Sequence, residues 1–319
     1  MYCAEYSGIN SFLVESCKLL LKEGVMRETR GSKCYELPEP YMFKIANPCA
    51  RLITIPERKW FKVLPYAESL WIASGRNDME FISHYLPRMD EYSDNHITMR
   101  GGYGPRVRHY NGESADYDNR IICSESHFDT DQLRYVVECF KQDINTRRAI
   151  ITLGDPMKDC FDTDKTLKQT KDIPCTRTLQ FIKDCKSDKL NMIVTMRSND
   201  LIYGASAVNV FNYTFMQEYM AAILGLGIGS YFHVVSNMHY YDEFTPLVKK
   251  LSLIENLSDE GLPFSKSFHS LAEFDSLLKR LADEEEKMRL LKGQYMPIEW
   301  DDEFFDNWYS VLMKWNATH

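Results

Sequence analysis

The chain has 319 residues, 44% of them apolar and 26% charged, a composition that suits one large globular domain or two small ones with a sizeable core. A formal net charge of −8 argues against broad attraction to a nucleic acid polymer or an anionic membrane, while local arginine clusters can still hold a small phosphate. Nine scattered cysteines, with no C-x-x-C pair and no Cys/His spacing that suits zinc, imply a reducing, cytoplasmic setting and no metal. The N-terminus carries no signal pattern, and no apolar run approaches the ~20 residues of a membrane helix.

In chain order, Ile9, Phe12, Leu13, Cys17, Leu20 and Leu21 predict a helix over 8–23, ended by Gly24. Residues 27–33 form a polar, basic loop. Residues 35–55 read as strand with turns at the prolines. A helix is predicted over 63–85 around Leu70, Trp71 and Phe81, followed by a Gly-rich loop over 99–108. Leu133, Val136, Val137 and Phe140 predict a helix over 129–141, and 149–153 a strand. Strands at 176–183 and 189–197, a buried helix near 209–224 and a strand at 231–235 follow. Charged amphipathic and aromatic helices occupy 264–292 and 301–316. This irregular mixture argues an α+β fold, not a doubly wound one.

The most informative stretch runs from Ile173 to Asp200. A cysteine enters one strand and an arginine leaves the next, so pairing brings Cys175 and Arg197 together. A thiol is a nucleophile only as thiolate, and a guanidinium nearby favours that form. A buried structural thiol is the bland alternative for any lone cysteine. Arg30, Arg147, Arg148 and Arg197 with Ser198 offer forks for phosphate oxygens, against a surface ion pair as the plain reading. Asn209 presents an amide with donors and an acceptor that can read a base edge, or it caps a helix. His239 and Tyr241, at i and i+2 of a strand, face one way and suit a sugar hydroxyl, or pack as an aromatic pair. Glu68, in an apolar helix beside Trp71, holds an ordered water or is solvated.

Taken together in order, these residues resemble the thymidylate synthase superfamily, which includes the pyrimidine-nucleotide hydroxymethylases. The matching motifs are Glu68-x-Leu70-Trp71 with Gly75, Tyr103-Gly104, Asp131-Gln132-Leu133, Arg147-Arg148, Pro174-Cys175 with Gln180-Phe181, Arg197-Ser198-x-Asp200, Gly204, Asn209 with Tyr213, and His239-x-Tyr241. The resemblance implies a mixed sheet with surrounding helices, one sheet face forming a homodimer interface. It implies a catalytic domain over 1–245 and a divergent, mostly helical extension over 246–319 packed on the same domain.

The resemblance also implies roles. Cys175 attacks C6 of a pyrimidine nucleoside monophosphate, and Arg197 and Arg30 hold its phosphate. Arg147 and Arg148 reach the phosphate bound by the partner subunit. Asn209 bonds the base, and His239 and Tyr241 the ribose. Glu68 and Tyr103 organise water and proton transfer. Asp200 anchors the base and pterin network, with Glu68 and Trp71 beside the folate. The carbon donor is 5,10-methylenetetrahydrofolate.

Three departures separate the chain from the methylating branch. Thr176 follows the cysteine where methylating enzymes usually carry histidine. Pro87-Arg88-Met89-Asp90-Glu91-Tyr92 stands where that branch has tryptophans. The C-terminus, ending Ala317-Thr318-His319, has no recognisable folate-closing tail. These favour water over hydride as the final nucleophile, and so C5 hydroxymethylation of dUMP/UMP or dCMP/CMP. The alternatives are thymidylate synthesis and a non-catalytic nucleotide-binding relative. Asn209 points to uracil, but the run from Gly204 to Asn209 is one residue longer than the family's, and Ser206 or Asn199 can share base reading.

Overall fold

The computed structural model describes residues 1–29, 31–110 and 130–319; Arg30 and Cys123 lie outside them. The strands are β1 Tyr2–Tyr6, β2 Val25–Thr29, β3 Ser32–Glu36, β4 Tyr41–Ile45, β5 Ile150–Thr152, β6 Thr176–Lys183, β7 Lys189–Met196, β8 Asn199–Asp200, β9 Gly227–Val235 and β10 Met238–Tyr241. The α-helices are α1 Ile9–Glu23, α2 Val63–Ala73, α3 Met79–Tyr85, α4 Tyr103–Arg108, α5 Gln132–Gln142, α6 Pro156–Asp159, α7 Val210–Ile223, α8 Thr245–Leu251, α9 Leu271–Leu291 and α10 Glu303–Asn316. A π-helix, Leu201–Asn209, runs directly into α7. The mixed sheets and helices give an α+β fold.

The chain forms two compact units, each assembled from several segments. The first comprises Met1–Pro65, Cys175–Ala221 and Leu226–Pro263; the second comprises Tyr66–Pro174, Ala222–Gly225 and Phe264–His319.

Within the first unit, five strands lie in the order β1-β4-β9-β7-β6. β1 is parallel to β4 and β9 to β7, while β4–β9 and β7–β6 are antiparallel. Successive side chains of a strand face opposite ways. One face therefore buries Leu179, Phe181, Leu190, Met192, Val194, Tyr231, His233, Val235, Tyr41 and Phe43. Phe12 of α1 stacks on Phe43 at 4.2 Å, and Gln217 of α7 donates to the Leu190 carbonyl, so both helices cover this face. The intervening residues, among them Ile193, Phe232 and Val234, stay partly exposed. A second sheet of the same unit, ordered β2-β3-β10-β8, pairs β10 antiparallel to β3 and parallel to β8.

The second unit is tied by buried charge pairs. Arg106, fully buried, forms a two-pronged contact with Asp159 and also donates to the Leu153 carbonyl. Such a pair is retained only where geometry offsets desolvation, and the bidentate fork provides that. The C-terminal helices belong here: Trp308 Nε1 donates to the Tyr66 carbonyl at 2.8 Å, and Tyr85 donates to the buried Glu285 carboxylate at 2.7 Å.

Several expected elements differ. The helix predicted over 63–85 is two helices, broken at Gly75, whose φ of +71° is left-handed, and restarted by the Asp78 side chain accepting from Phe81 N. The loop predicted over 99–108 contains α4. Of the basic loop expected at 27–33, Arg27, Glu28 and Thr29 belong to β2 and pair with Cys34, Lys33 and Ser32 of β3, and Gly31 has φ of +75°. Alternation there carries no burial signal because all of β2 is exposed. The amphipathic helix begins at Leu271, not 264.

His233 is fully buried in the sheet core, stacked on Phe43 at 4.8 Å, and burial holds its imidazole down to a pKa of about 3. The unfolded chain, with an ordinary histidine, takes up a proton as pH falls through ~6.5, and the folded chain does not. Stability is thus lost by about 1.4 kcal/mol per pH unit between ~6 and the folded pKa. We expect His233→Phe to remove this component, so that urea-unfolding curves of variant and parent converge as pH falls from 7 to 4. A pH-independent stability difference would refute the neutral buried imidazole.

Candidate active site

The cysteine expected as nucleophile immediately precedes β6, half-buried. Thr176 pairs with Met196 across β6–β7, and the Arg197 amide donates to the Cys175 carbonyl at 2.9 Å. Strand pairing therefore brings Cys175 and Arg197 side by side along the backbone, as the sequence implied. The Thr176 side chain is fully buried, its hydroxyl 2.5 Å from Tyr213 Oη of α7. The segment leading to Cys175 is anchored within the second unit. Asp172 accepts from Gly101 N at 2.6 Å, and Arg100 donates to the Asp172 carbonyl at 2.6 Å.

Beyond Arg197 the chain passes through Ser198, whose hydroxyl donates to Asn237, and into β8. There Asp200 is the register partner of His239 on β10. His239 and Tyr241 do face one way, their rings 5.4 Å apart and nearly perpendicular. Asp200 caps the π-helix by accepting from Tyr203 N. Its Oδ2 and the Nδ1 of His239 are shielded from solvent and have no hydrogen-bond partner among the described residues. Burial pushes the Asp200 carboxyl above the ordinary carboxylate range; His239 and the amides at the helix start pull the other way. Orphaned buried polar atoms are costly, and two of them on paired residues mark a place for a ligand that donates and accepts hydrogen bonds.

Asn209 is the last residue of the π-helix, not a member of the α-helix expected to carry it. The i→i+5 pattern absorbs one extra residue, the length excess seen in the sequence between Gly204 and Asn209. Val210 N accordingly donates to the Ala205 carbonyl. Such a turn leaves carbonyls without regular partners, and three side chains supply them. Ser206 Oγ donates to the Leu201 carbonyl at 2.6 Å, Arg58 to the Ile202 carbonyl at 2.7 Å and Trp60 Nε1 to the Ala207 carbonyl at 2.9 Å. Arg58 and Trp60 were not singled out from sequence. The cluster Pro56-Glu57-Arg58-Lys59-Trp60 holds a charge and an indole beside a short helical turn, which was the available signal.

Glu68, Trp71 and Tyr103 lie in the second unit: Glu68 and Trp71 on α2, with Trp71 buried and Glu68 half-buried, and Tyr103 as the first residue of α4. Arg147 and Arg148 are exposed between α5 and β5. Arg30 lies outside the described residues. The structure thus gathers Cys175, Arg197, Ser198, Asp200, Asn209, His239 and Tyr241 in the first unit.

The thymidylate synthase family model matches residues 12–275. The chain is 32% identical over 245 residues to the deoxyuridylate hydroxymethyltransferase of Pseudomonas phage M6, covering 77% of this chain and 63% of that protein. It is 31% identical over 276 residues to the protein of that name from Bacillus phage SP01, covering 85% and 68%. It is 30% identical over 235 residues to that of Delftia phage PhiW-14, covering 72% and 60%. The chain therefore spans roughly two thirds of the length of these relatives.

The carbonyl clamp on the π-helix is testable. Trp60→Phe keeps an aromatic ring but removes the N–H that bonds the Ala207 carbonyl, so we expect a loss of about 0.5–1.5 kcal/mol in urea unfolding. A loss below ~0.3 kcal/mol would mean that water satisfies this carbonyl equally well.

Proposed function

The chain belongs to the thymidylate synthase family, and we propose that it catalyses folate-dependent hydroxymethylation at C5 of a pyrimidine nucleoside monophosphate, with dUMP the first substrate to test. The observation that carries the reading is the alignment of Cys175 and Arg197 at paired strand ends, with Asp200, three residues after Arg197, presenting a shielded Oδ2 that lacks a partner among the described residues. The names of the phage relatives support the substrate class and the product.

The cosubstrate 5,10-methylenetetrahydrofolate would supply a carbon at the oxidation level of formaldehyde. The unpartnered Asp200 Oδ2 fits it, because a shielded carboxylate oxygen is a ready acceptor for a ring N–H. Glu68 and Trp71 complete the folate-binding assignment.

C5 of a pyrimidine is a poor nucleophile while the ring stays conjugated. Addition of the Cys175 sulfur to C6 breaks that conjugation and makes C5 enolate-like. Arg197 holds the substrate phosphate beside the sulfur, with Ser198 and Arg30. Asn209 bonds the base edge, and His239 with Tyr241 the sugar. Glu68 and Tyr103 position water and carry away the C5 proton. Once the carbon has joined C5, hydroxide completes the hydroxymethyl group, and departure of the Cys175 sulfur from C6 restores the ring. No net redox change occurs, so tetrahydrofolate is released. In methylation, hydride from tetrahydrofolate would take hydroxide's place and dihydrofolate would form.

We further propose a homodimer that buries the partly exposed sheet face around Ile193, Phe232 and Val234, with Arg147 and Arg148 donated to the partner's phosphate. Both arginines are exposed on their own chain.

Incubation with dUMP labelled with tritium at C5 and with methylenetetrahydrofolate should release tritium and yield a hydroxymethyl product by mass spectrometry, without dihydrofolate. Formation of dihydrofolate and dTMP would instead establish the methylating alternative. Cys175→Ser should reduce release to background, and undiminished release would remove the nucleophile assignment. Release confined to a monomer fraction in size-exclusion chromatography would exclude the shared site.

A further inference from the structure

One buried polar side chain lies between Arg197 and Asp200 and has no role in the scheme above. Asn199 is only 3% exposed. Its Nδ2 lies 3.1 Å from Met196 Sδ and 3.3 Å from His233 Nε2. A thioether accepts hydrogen bonds and never donates them, so the amide nitrogen belongs on that side. The neutral tautomer of His233 with its proton on Nδ1, facing Tyr231 Oη at 2.8 Å, leaves Nε2 as a second acceptor for the same group. Asn199 is thereby held in one orientation, with Oδ1 on the side of Gly204.

That oxygen faces Gly204. A methyl group on Gly204 would lie 2.3 Å from Asn199 Oδ1 and 3.1 Å from Asn209 Oδ1. Glycine at this position leaves room for two amide groups on one side of the π-helix. The Asn209 side chain has no hydrogen bond among the described residues, and half a turn about its last torsion exchanges its oxygen and nitrogen at no steric cost. With oxygen towards Asn199, two acceptors oppose each other; with nitrogen there, a hydrogen bond forms.

We propose that Asn199 is a positioning residue for base recognition: fixed by Met196 and His233, its Oδ1 accepts one N–H of the Asn209 amide, so that Asn209 keeps a single orientation and reads one pyrimidine edge. The inference rests on the nucleotide-binding reading above. Uracil presents a donor at N3 and an acceptor at O4, whereas cytosine presents an acceptor at N3 and a donor at N4. The two patterns are mirror images, and an amide free to flip reads both. An amide locked by Asn199 reads one. The relay from Tyr231 through His233 and Asn199 thus carries specificity from the sheet core to the base without itself touching substrate.

The test compares dUMP with dCMP in two variants, Asn199→Leu, which removes the acceptor at similar volume, and His233→Phe, which keeps the stack on Phe43 while releasing Asn199. The readouts are kcat/KM for tritium release from C5-labelled nucleotides and, independently, Kd ratios by calorimetry. We expect the preference for the favoured base to fall at least about tenfold in both variants, mainly through improved handling of the disfavoured base. An unchanged preference in either folded variant overturns the inference. Calorimetry separates this from failure of the catalytic reading: a parent protein that binds one base selectively but releases no tritium still reports on Asn199, and one that binds neither nucleotide removes both.

Discussion

The geometry of the site depends on one backbone irregularity, the π-helix from Leu201 to Asn209. A π-turn is accommodated only if the carbonyls that lose their regular partners find others. Here they do, through Ser206 from within the helix and Arg58 and Trp60 from the chain segment before α2. Asp200 closes the other end by capping the helix start. The extra residue therefore becomes a fixed feature that sets where Asn209 emerges and why Gly204 must lack a side chain. A regular α-helix over the same span would rotate Asn209 by roughly one residue, about 100°, away from the side that Gly204 leaves open.

The same irregularity explains the electrostatics. Capping the π-helix commits one oxygen of Asp200 to the backbone and leaves the other shielded and unpaired opposite His239. Burial raises the carboxyl above the ordinary carboxylate range, against the pull of His239 and the amides at the helix start. Arg58 adds a half-buried positive charge whose electrostatic influence reaches Asp200. A carboxylate poised this way suits a ligand that brings its own N–H donor. A shielded carboxylate oxygen with no partner among the described residues is an unfavourable group, a cost typical of functional positions.

Much of this was legible in the chain. The period-2 strands from 176 to 196 and at 231–235, the helix at 9–23 and the aromatic last helix follow directly from patterning, because each buries one continuous face. The breaks were harder. Gly75 and Asp78 split one apolar run into α2 and α3, and apolar periodicity alone does not register a restart that depends on a side-chain cap. The β2–β3 hairpin was hidden because its outer strand is exposed throughout and so carries no alternation. Among site residues, Cys175, Arg197, Asp200, Asn209, His239 and Tyr241 stood out by type and order. Arg58, Trp60 and His233 did not, since their roles arise from contacts 144, 147 and 34 positions away in sequence.

On the proposed reading, Thr176 ties the fold to the choice of product. In the methylating branch a histidine follows the cysteine, and an imidazole there supplies a titratable group next to the reacting ring. Threonine supplies none. Its hydroxyl is committed to Tyr213, which lies one helical turn beyond Asn209 at the start of the buried α7 helix. The first residue of β6, next to Cys175, is thus pinned by a buried contact to the helix that follows Asn209. On the proposed reading, proton traffic then falls to groups such as Glu68 and Tyr103 acting through water. A site that handles its protons through water also keeps hydroxide within reach when the C5 carbon becomes electrophilic. Retaining water at that step favours a hydroxymethyl over a methyl product.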